Sequence, residues 1–169
     1  MAIDLARGEI VGGAKIRVAF LLGWFLLLAH HPAAAQGIHE RYEALVAKAI
    51  DQAGIAQIRT INLGVNELLN ETHFWLDSPE TEYWRSVDQI LDSPYRDNCK
   101  DFVTLKEAAL RQIGIPSERV PVMLRNGLAL HVVLKIQFEG RELILDNLRS
   151  VMVSMDDLKD VYETYNAAP

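Results

Sequence analysis

The chain has 169 residues, half of them hydrophobic, and its 23 acidic side chains outnumber 17 basic ones, for a net charge of −6. This length fits one domain around one core, and the acidic balance excludes the basic footprint of a nucleic-acid-binding protein. A single cysteine excludes an internal disulfide. The lone thiol is therefore buried, paired with another molecule, or used in chemistry.

The first 35 residues have the pattern of a secretory signal peptide. Basic residues precede position 18, a twelve-residue apolar stretch follows at 18–29, and three alanines at 33–35 supply an Ala-x-Ala cleavage site. The apolar stretch is shorter than the roughly 20 residues that a membrane span needs. We therefore predict a periplasmic or secreted protein whose mature domain, 36–169, has no stable membrane span. An uncleaved membrane anchor is the alternative.

Helical spacing of apolar residues predicts three helices in the first part of the mature domain. They cover 38–53, 57–69 and 86–91, although Gly64 weakens the prediction of the second. The aromatic segment before the third helix is predicted as a loop with one extended piece at 72–76.

The segment around the cysteine predicts a further helix, over 99–113. Asp97 or Asn98 can act as its N-cap, and Gly114 supplies a stop signal. Cys99 then falls in the first helical turn, where free N–H groups and the positive end of the helix dipole favour a thiolate. A nucleophile is one interpretation of this cysteine, and a small buried hydrophobe is the other.

Beyond this helix the hydrophobic period falls to two, which predicts a sheet. Three strands and two tight turns are expected: strands at 120–124, 128–138 and 141–148, and turns at 126–127 and 139–140. The residues from 152 to 165 are predicted to form a polar, amphipathic tail. Helices followed by an antiparallel sheet define an α+β fold.

The second hairpin brings two polar side chains together. A turn at 139–140 pairs Phe138 with Arg141, which makes His131 and Asp146 diagonal neighbours on one face of the sheet. At that spacing a carboxylate can orient an imidazole. The opposite face of the middle strand carries its apolar residues: Val132, Leu134, Ile136 and Phe138.

Cys99, His131 and Asp146 together offer the chemistry of a catalytic triad. The thiolate attacks a carbonyl carbon, the imidazole moves the proton, and the carboxylate fixes the tautomer and orientation of the ring. Three alternatives stay open from the residues alone. His131 could be an ordinary strand residue, Asp146 could start a turn, and all three side chains could bind a zinc ion.

Three groups of residues then carry a family resemblance. The aromatic pair at 83–84 precedes the nucleophile, the sequence Asn-Cys-Lys-Asp-Phe at 98–102 begins the nucleophile helix, and the segments at 131–134 and 145–148 supply histidine and aspartate strands. In this order and spacing they resemble the bacterial transglutaminase-like cysteine peptidases, which include a periplasmic protease that releases biofilm adhesins. The similar region covers 57–153.

This resemblance implies a papain-like, transglutaminase-type core in which the cysteine helix packs on an antiparallel sheet. It also implies a peptidase or amidase with Cys99 as nucleophile, His131 as base and then acid, and Asp146 as orienting group. The expected partner is a protein or peptide substrate, such as a surface or periplasmic protein. A transglutaminase that uses the same triad, and a binding module that has lost catalysis, are the alternatives.

The sequence departs from the family beside the nucleophile. The family usually has Gly-Asp-Cys-Glu-Asp, and in the adhesin-releasing members the two flanking acids bind calcium. Here Asn98 and Lys100 take those places, and a lysine repels a cation at short range. The remaining carboxylates, Asp97 and Asp101, are too few for a calcium site. We therefore expect no metal, no cofactor and no calcium requirement.

Overall fold

The structure is a computed structural model that describes residues 37–72, 74–75, 83–93, 95–96, 98–125 and 129–165. The predicted signal peptide and the predicted turn at 126–127 lie outside the described residues. The elements follow in this order: α1 (Ile38–Ile50), α2 (Ile55–Thr72), β1 (Phe74–Trp75), α3 (Val87–Leu91), β2 (Tyr95–Arg96), α4 (Cys99–Gln112), β3 (Ser117–Leu124), β4 (Leu130–Phe138), β5 (Arg141–Leu145), a 3-10 helix (Asp156–Leu158) and β6 (Tyr162–Thr164).

The first two predicted helices are confirmed, with shifted ends. α1 stops three residues before the predicted end, and α2 extends beyond its predicted range on both sides. Gly64 lies inside α2 because α1 packs closely against it: a Cβ at this position would lie 2.2 Å from Leu45 Cδ1. The glycine that weakened the prediction is therefore the residue that allows the two helices to approach.

Of the short elements before α4, the helix was predicted and the strand β2 was not. Ser86 caps α3 in a capping box, since Ser86 Oγ accepts from Gln89 N at 3.3 Å and Gln89 Oε1 accepts from Ser86 N at 2.9 Å. β1 and β2 pair in parallel, with Phe74 opposite Tyr95. Of the extended piece predicted at 72–76, the described residues 74 and 75 are strand, and residue 72 belongs to α2 instead.

The cysteine helix α4 has well-defined ends. Asn98 is its N-cap, and its Oδ1 accepts from Lys100 N at 2.8 Å. At the other end Gly114 has a φ of +74°, and the N–H of Ile115 donates to the Leu110 carbonyl at 3.0 Å. This left-handed glycine cap satisfies the last carbonyl groups of the helix, and the predicted stop is confirmed.

The four-stranded sheet is antiparallel, with strand order β5-β4-β3-β6. Phe138 lies opposite Arg141, as predicted, across a turn in which Glu139 and Gly140 both have positive φ. The extents of two strands were predicted wrongly. β3 begins at Ser117 rather than at position 120, and β5 ends at Leu145 rather than at 148.

The segment predicted as a polar, amphipathic tail at 152–165 contains secondary structure that the sequence did not predict. Part of this segment forms the 3-10 helix, and Tyr162–Thr164 pairs with β3 as an edge strand. A three-residue strand is too short to show a period of two in the sequence. This short strand is important for the site, because it places Tyr162 beside the end of β5.

The two faces of the sheet pack against different parts of the chain. The predicted apolar stripe of β4 is confirmed: Val132, Leu134 and Ile136 join the core that the helices form. The C-terminal segment covers the opposite face with a smaller core of Val122, Val133, Ile144, Leu158 and Tyr162. The cysteine helix on an antiparallel sheet is the predicted α+β architecture. Within the described ranges, no helix combines the length and apolar character of a membrane span.

Candidate active site

Cys99 stands at the first position of α4 and is partly exposed. Its side chain packs against the edge of the helical core and hydrogen-bonds to His131. Because Asn98 ends the preceding extended chain and starts the helix here, the sulfur lies at the positive end of the helix dipole. This end of α4 therefore favours an anion.

His131 is the second residue of β4 and lies beside this end of α4. β5 stops opposite Leu134, so the first residues of β4 have no β5 neighbour and leave room beside the sheet edge. The His131 ring is only 7% exposed, and its Nε2 lies 2.9 Å from Asp146 Oδ1. Nδ1 is then the ring nitrogen left for Cys99. The imidazole thus connects the thiol with the carboxylate.

Asp146 is fixed by contacts from three separate parts of the chain. Its Oδ1 accepts from the Leu148 N–H at 3.0 Å, and its Oδ2 accepts from the Tyr162 hydroxyl at 2.5 Å. Asn66 of α2 donates to the Asp146 backbone carbonyl at 2.9 Å. Asp146 therefore starts a turn and also contacts His131. The two interpretations of Asp146 that the sequence left open, a turn residue and a partner of His131, are thus compatible with each other.

Hydrogen bonds set the charge of this pair. Burial alone lowers the pKa of His131, but hydrogen bonds to Asp146 and Cys99, together with the charges of both, raise it to about 9. Burial of Asp146 acts to raise its pKa, yet the bonds from His131, Tyr162 and the Leu148 N–H leave that pKa below its usual range. An imidazolium and a carboxylate therefore coexist at neutral pH. The imidazolium thus presents a positive charge to Cys99.

Tyr162 completes the environment of the pair, and the sequence did not indicate it. Its ring centroid lies 5.7 Å from that of His131 at an interplanar angle of 32°. Burial and the Asp146 carboxylate raise the pKa of Tyr162, so its hydroxyl stays protonated and acts as a donor. Tyr162 therefore restrains the carboxylate of Asp146, while Asn66 holds its backbone carbonyl.

A second buried ion pair lies in the same first turn of α4, two residues after Cys99. Asp101, 2% exposed, accepts from Arg85 Nε at 3.1 Å and from Arg85 Nη2 through its other oxygen. The Arg85 side chain is itself only 9% exposed. One of the two carboxylates that the sequence left for calcium is thus engaged by a guanidinium, while Asp97 lies outside the described residues.

Metal ligation has little support at this site. Among the residues that the structure describes, no group of three or more His, Cys, Asp or Glu side chains is arranged to hold a metal ion. Cys99, His131 and Asp146 contact one another in series instead of converging on one point. The zinc alternative therefore has no ligand group in this part of the chain.

The family assignment rests on a comparison with known sequences. The model of the bacterial transglutaminase-like cysteine proteinases matches residues 29–166. The chain belongs to this family. The match begins within the predicted signal peptide and covers all the described residues. It confirms the resemblance and makes the protein a cysteine peptidase of the transglutaminase-like type.

Solved structures of Legionella pneumophila LapG share the fold of this peptidase. The calcium-bound form matches with a TM-score of 0.61 and 21% identity over 76% of this chain and 75% of the LapG chain. A second LapG structure matches with the same score and identity over 80% of each chain. At this identity the likeness shows the fold alone. No curated protein sequence matches the chain.

Proposed function

We propose that this protein is an exported cysteine peptidase that cleaves an amide bond in a protein or peptide through Cys99, His131 and Asp146. The observation that carries the proposal is the continuous contact from Cys99 through His131 to Asp146 at the start of α4. Membership in a cysteine peptidase family supports the same reaction.

Acylation begins with the Cys99 thiolate. Its sulfur attacks the scissile carbonyl carbon, a C–S bond forms, and negative charge moves onto the carbonyl oxygen. The imidazolium of His131 gives its Nδ1 proton to the amine nitrogen as the C–N bond breaks. A thioacyl-enzyme and a neutral imidazole remain. Asp146 on Nε2 holds the ring so that Nδ1 stays toward the sulfur.

Deacylation uses the same groups in the opposite direction. The neutral His131 takes a proton from a water molecule whose oxygen attacks the thioester carbon. The C–S bond breaks, the product leaves as a carboxylic acid, and Cys99 is again a thiolate beside an imidazolium. No cofactor is needed for this balance.

The oxyanion also needs donors. Cys99 occupies the first position of α4, where a backbone N–H has no acceptor within the helix. We assign this N–H to the developing oxyanion, because donors at a helix start point out of the helix and add the favourable dipole.

Export is part of the proposal because of the predicted signal peptide at 1–35. Mature protein recovered from the periplasm or the medium should begin at Gln36. Recovery of an intact N terminus with the membrane fraction would replace export with a membrane anchor.

The test of the proposal is a survey of the N termini of exported proteins in strains that carry wild-type protein or Cys99→Ala. We expect at least one cleavage product to disappear with Cys99→Ala and with His131→Ala, and to persist with Arg141→Ala, which alters an exposed residue of the far hairpin. Identical termini in the wild-type and Cys99→Ala strains would contradict the proposal.

Transglutamination would share the thioacyl-enzyme and differ only in the group that resolves it. A biotinylated primary amine added to the same strains distinguishes the two outcomes. Hydrolysis predicts new termini without biotin, whereas stable biotin on a glutamine side chain would replace the peptidase reaction with an amine transfer.

A further inference from the structure

A buried lysine lies on the helix that carries Cys99, and none of the steps above uses it. Lys106 is fully buried in the middle of α4, and its Nζ has no hydrogen-bond partner among the described residues. It follows Cys99 by seven positions, so the two residues share one face of the helix two turns apart. An unpaired ammonium in a core is unfavourable, and its presence calls for an explanation.

Asp146 is the member of the proposed triad whose charge acts on Lys106. Burial lowers the pKa of Lys106 to about 7, and the charge of Asp146 is what opposes that shift. Of the elements packed against α4, β4 contributes the buried His131, and α2 contributes the uncharged amides of Asn62 and Asn66, both buried. The buried side chains of the other two, α3 and β3, are apolar: Ile90, Leu91 and Val122. The Asp146 carboxylate therefore binds one buried base, His131, and acts through its charge on a second, Lys106.

The amides of α2 extend this polar region. Asn66 binds the Asp146 carbonyl through Nδ2, but its Oδ1 has no partner within the described residues. Both polar atoms of the Asn62 side chain also lack partners there. Asn62 and Asn66 are four positions apart on α2 and lie on one face of that helix. The buried face of α2 that contacts Asp146 through Asn66 is thus polar and incompletely satisfied, as functional regions often are.

We propose that Lys106 is a positioning residue for the peptidase reaction: when protonated, it competes with His131 for the Asp146 carboxylate and loosens the thiolate–imidazolium pair. The inference rests on the proposed role of Cys99, His131 and Asp146. With Lys106 neutral, Asp146 serves the imidazolium alone. With Lys106 charged, two cations share one carboxylate, and the proton of His131 returns more readily to Cys99.

The direction of the pH effect follows from this competition. As the pH falls through about 7, Lys106 gains its proton and Cys99 becomes less reactive. Lys106→Met keeps the length of the side chain and removes the charge. The variant should therefore keep a reactive Cys99 to a lower pH than the wild type does.

The experiment measures the second-order rate of Cys99 alkylation by iodoacetamide from pH 5 to pH 9. At pH 8 we expect Lys106→Met to react within about twofold of the wild type. On the acid side we expect its half-maximal rate about one pH unit lower, the size of effect that a nearby charge produces. The part of the rate–pH curve below the half-maximal rate is called the acid limb here. If the acid limbs of the two proteins are superimposable, the inference is overturned.

Thermal unfolding separates this role from simple packing. At pH 6 Lys106→Met replaces a buried unpaired ammonium by an apolar group, so the Tm at that pH should rise by about 5 °C. Leu110→Ala, in the same helix, should lower the Tm and leave the acid limb unchanged. Lys106→Gln, also uncharged, must reproduce the shift of the acid limb, and failure to do so would count against the inference even if Lys106→Met does not fold.

The two proposals fail in different ways. If wild-type Cys99 at pH 8 reacts no faster than an ordinary exposed thiol, the proposed triad is wrong. If the wild type reacts fast and loses this reactivity with His131→Ala, but Lys106→Met does not move the acid limb, only the role of Lys106 is wrong.

Discussion

Asp101 and Asp146 are equally buried, each with 2% of its surface exposed, yet the cations that neutralise them differ. Asp101 binds the guanidinium of Arg85, which stays charged at every pH at which the protein is folded. Asp146 binds His131, which loses its proton at about pH 9, and lies in the field of Lys106, which gains one at about pH 7. One carboxylate has a permanent counterion, and the other has two that titrate.

This difference in counterions distinguishes an ion pair that only fixes the structure from one that can also take part in proton transfer. A bidentate guanidinium fixes geometry and offers no proton, so the pair of Asp101 and Arg85 anchors the first turn of α4. An imidazolium bound to a carboxylate keeps its geometry while it gives and takes a proton. The pair of Asp101 and Arg85, the permanent pair, holds the helix that carries Cys99. The pair of Asp146 and His131, the titrating pair, faces the Cys99 sulfur.

Asp146→Asn should have the largest effect on the titrating pair. The amide keeps the size of the side chain but removes the charge that holds the His131 proton. We expect formation of the cleavage product to slow by roughly 10²- to 10⁴-fold, the range for loss of an orienting or proton-transferring group. Tyr162→Phe is the matched control, because it removes one hydrogen bond from Asp146 and keeps the charge. It should slow the product by less than Asp146→Asn, and equal slowing would contradict this account.

Asp101→Leu should have the largest effect on the permanent pair. It leaves the Arg85 guanidinium buried without its carboxylate, so we expect a loss of about 3–5 kcal/mol in the free energy of unfolding. Urea unfolding measures this loss. The double variant Arg85→Met with Asp101→Leu should recover most of it, because no buried charge remains. A loss below about 1 kcal/mol with Asp101→Leu would show that this pair does not anchor the helix.

The pH dependence of stability should distinguish the two pairs. The folded-state pKa of His131 is raised to about 9, so its pair with Asp146 stabilises the protein fully below the unfolded pKa of about 6.5 and loses that effect as the pH rises through 9. The stability gap between wild type and His131→Gln should therefore be widest near pH 6 and shrink by about 2–3 kcal/mol toward pH 10. The gap for Asp101→Leu should stay constant, because arginine does not titrate in this range.

Calcium should have the smallest effect. The flanking positions hold Asn98 and Lys100, and Asp101 is engaged by Arg85. We predict that millimolar calcium leaves the Tm unchanged and that EGTA leaves the exported cleavage product unchanged. The double variant Asn98→Asp with Lys100→Glu restores the family pattern and tests whether those two positions decide calcium binding. A clear calcium-dependent rise of the wild-type Tm would contradict the prediction.

Much of the site could be predicted because its residues follow from local rules. Cys99 is the only cysteine, and the cap at Asn98 with the glycine at 114 sets the ends of its helix. The register between His131 and Asp146 follows from a two-residue turn, which fixes the pairing of its strands. These features depend on neighbours in the sequence.

The supporting residues could not be predicted, because their roles depend on distant contacts. Asn66 binds the carbonyl of a residue 80 positions away, and Tyr162 reaches Asp146 only because a three-residue strand joins the sheet edge. Arg85 lay between the aromatic segment predicted as a loop and the helix predicted at 86–91, and no pattern in the sequence indicated a role for it. Lys106 interrupts an apolar helix face, where sequence patterns place lysine in solvent, and only the packing of α2 and β4 around α4 shows that it is buried.

The most direct test of the central claim is the alkylation rate of Cys99 by iodoacetamide at pH 7 in the wild type and in His131→Ala. If His131 holds Cys99 as a thiolate, the wild type should react about 10- to 30-fold faster than an ordinary exposed thiol, and His131→Ala should lose that advantage while it remains folded. Equal rates in the wild type, in His131→Ala and in an ordinary thiol would contradict the account.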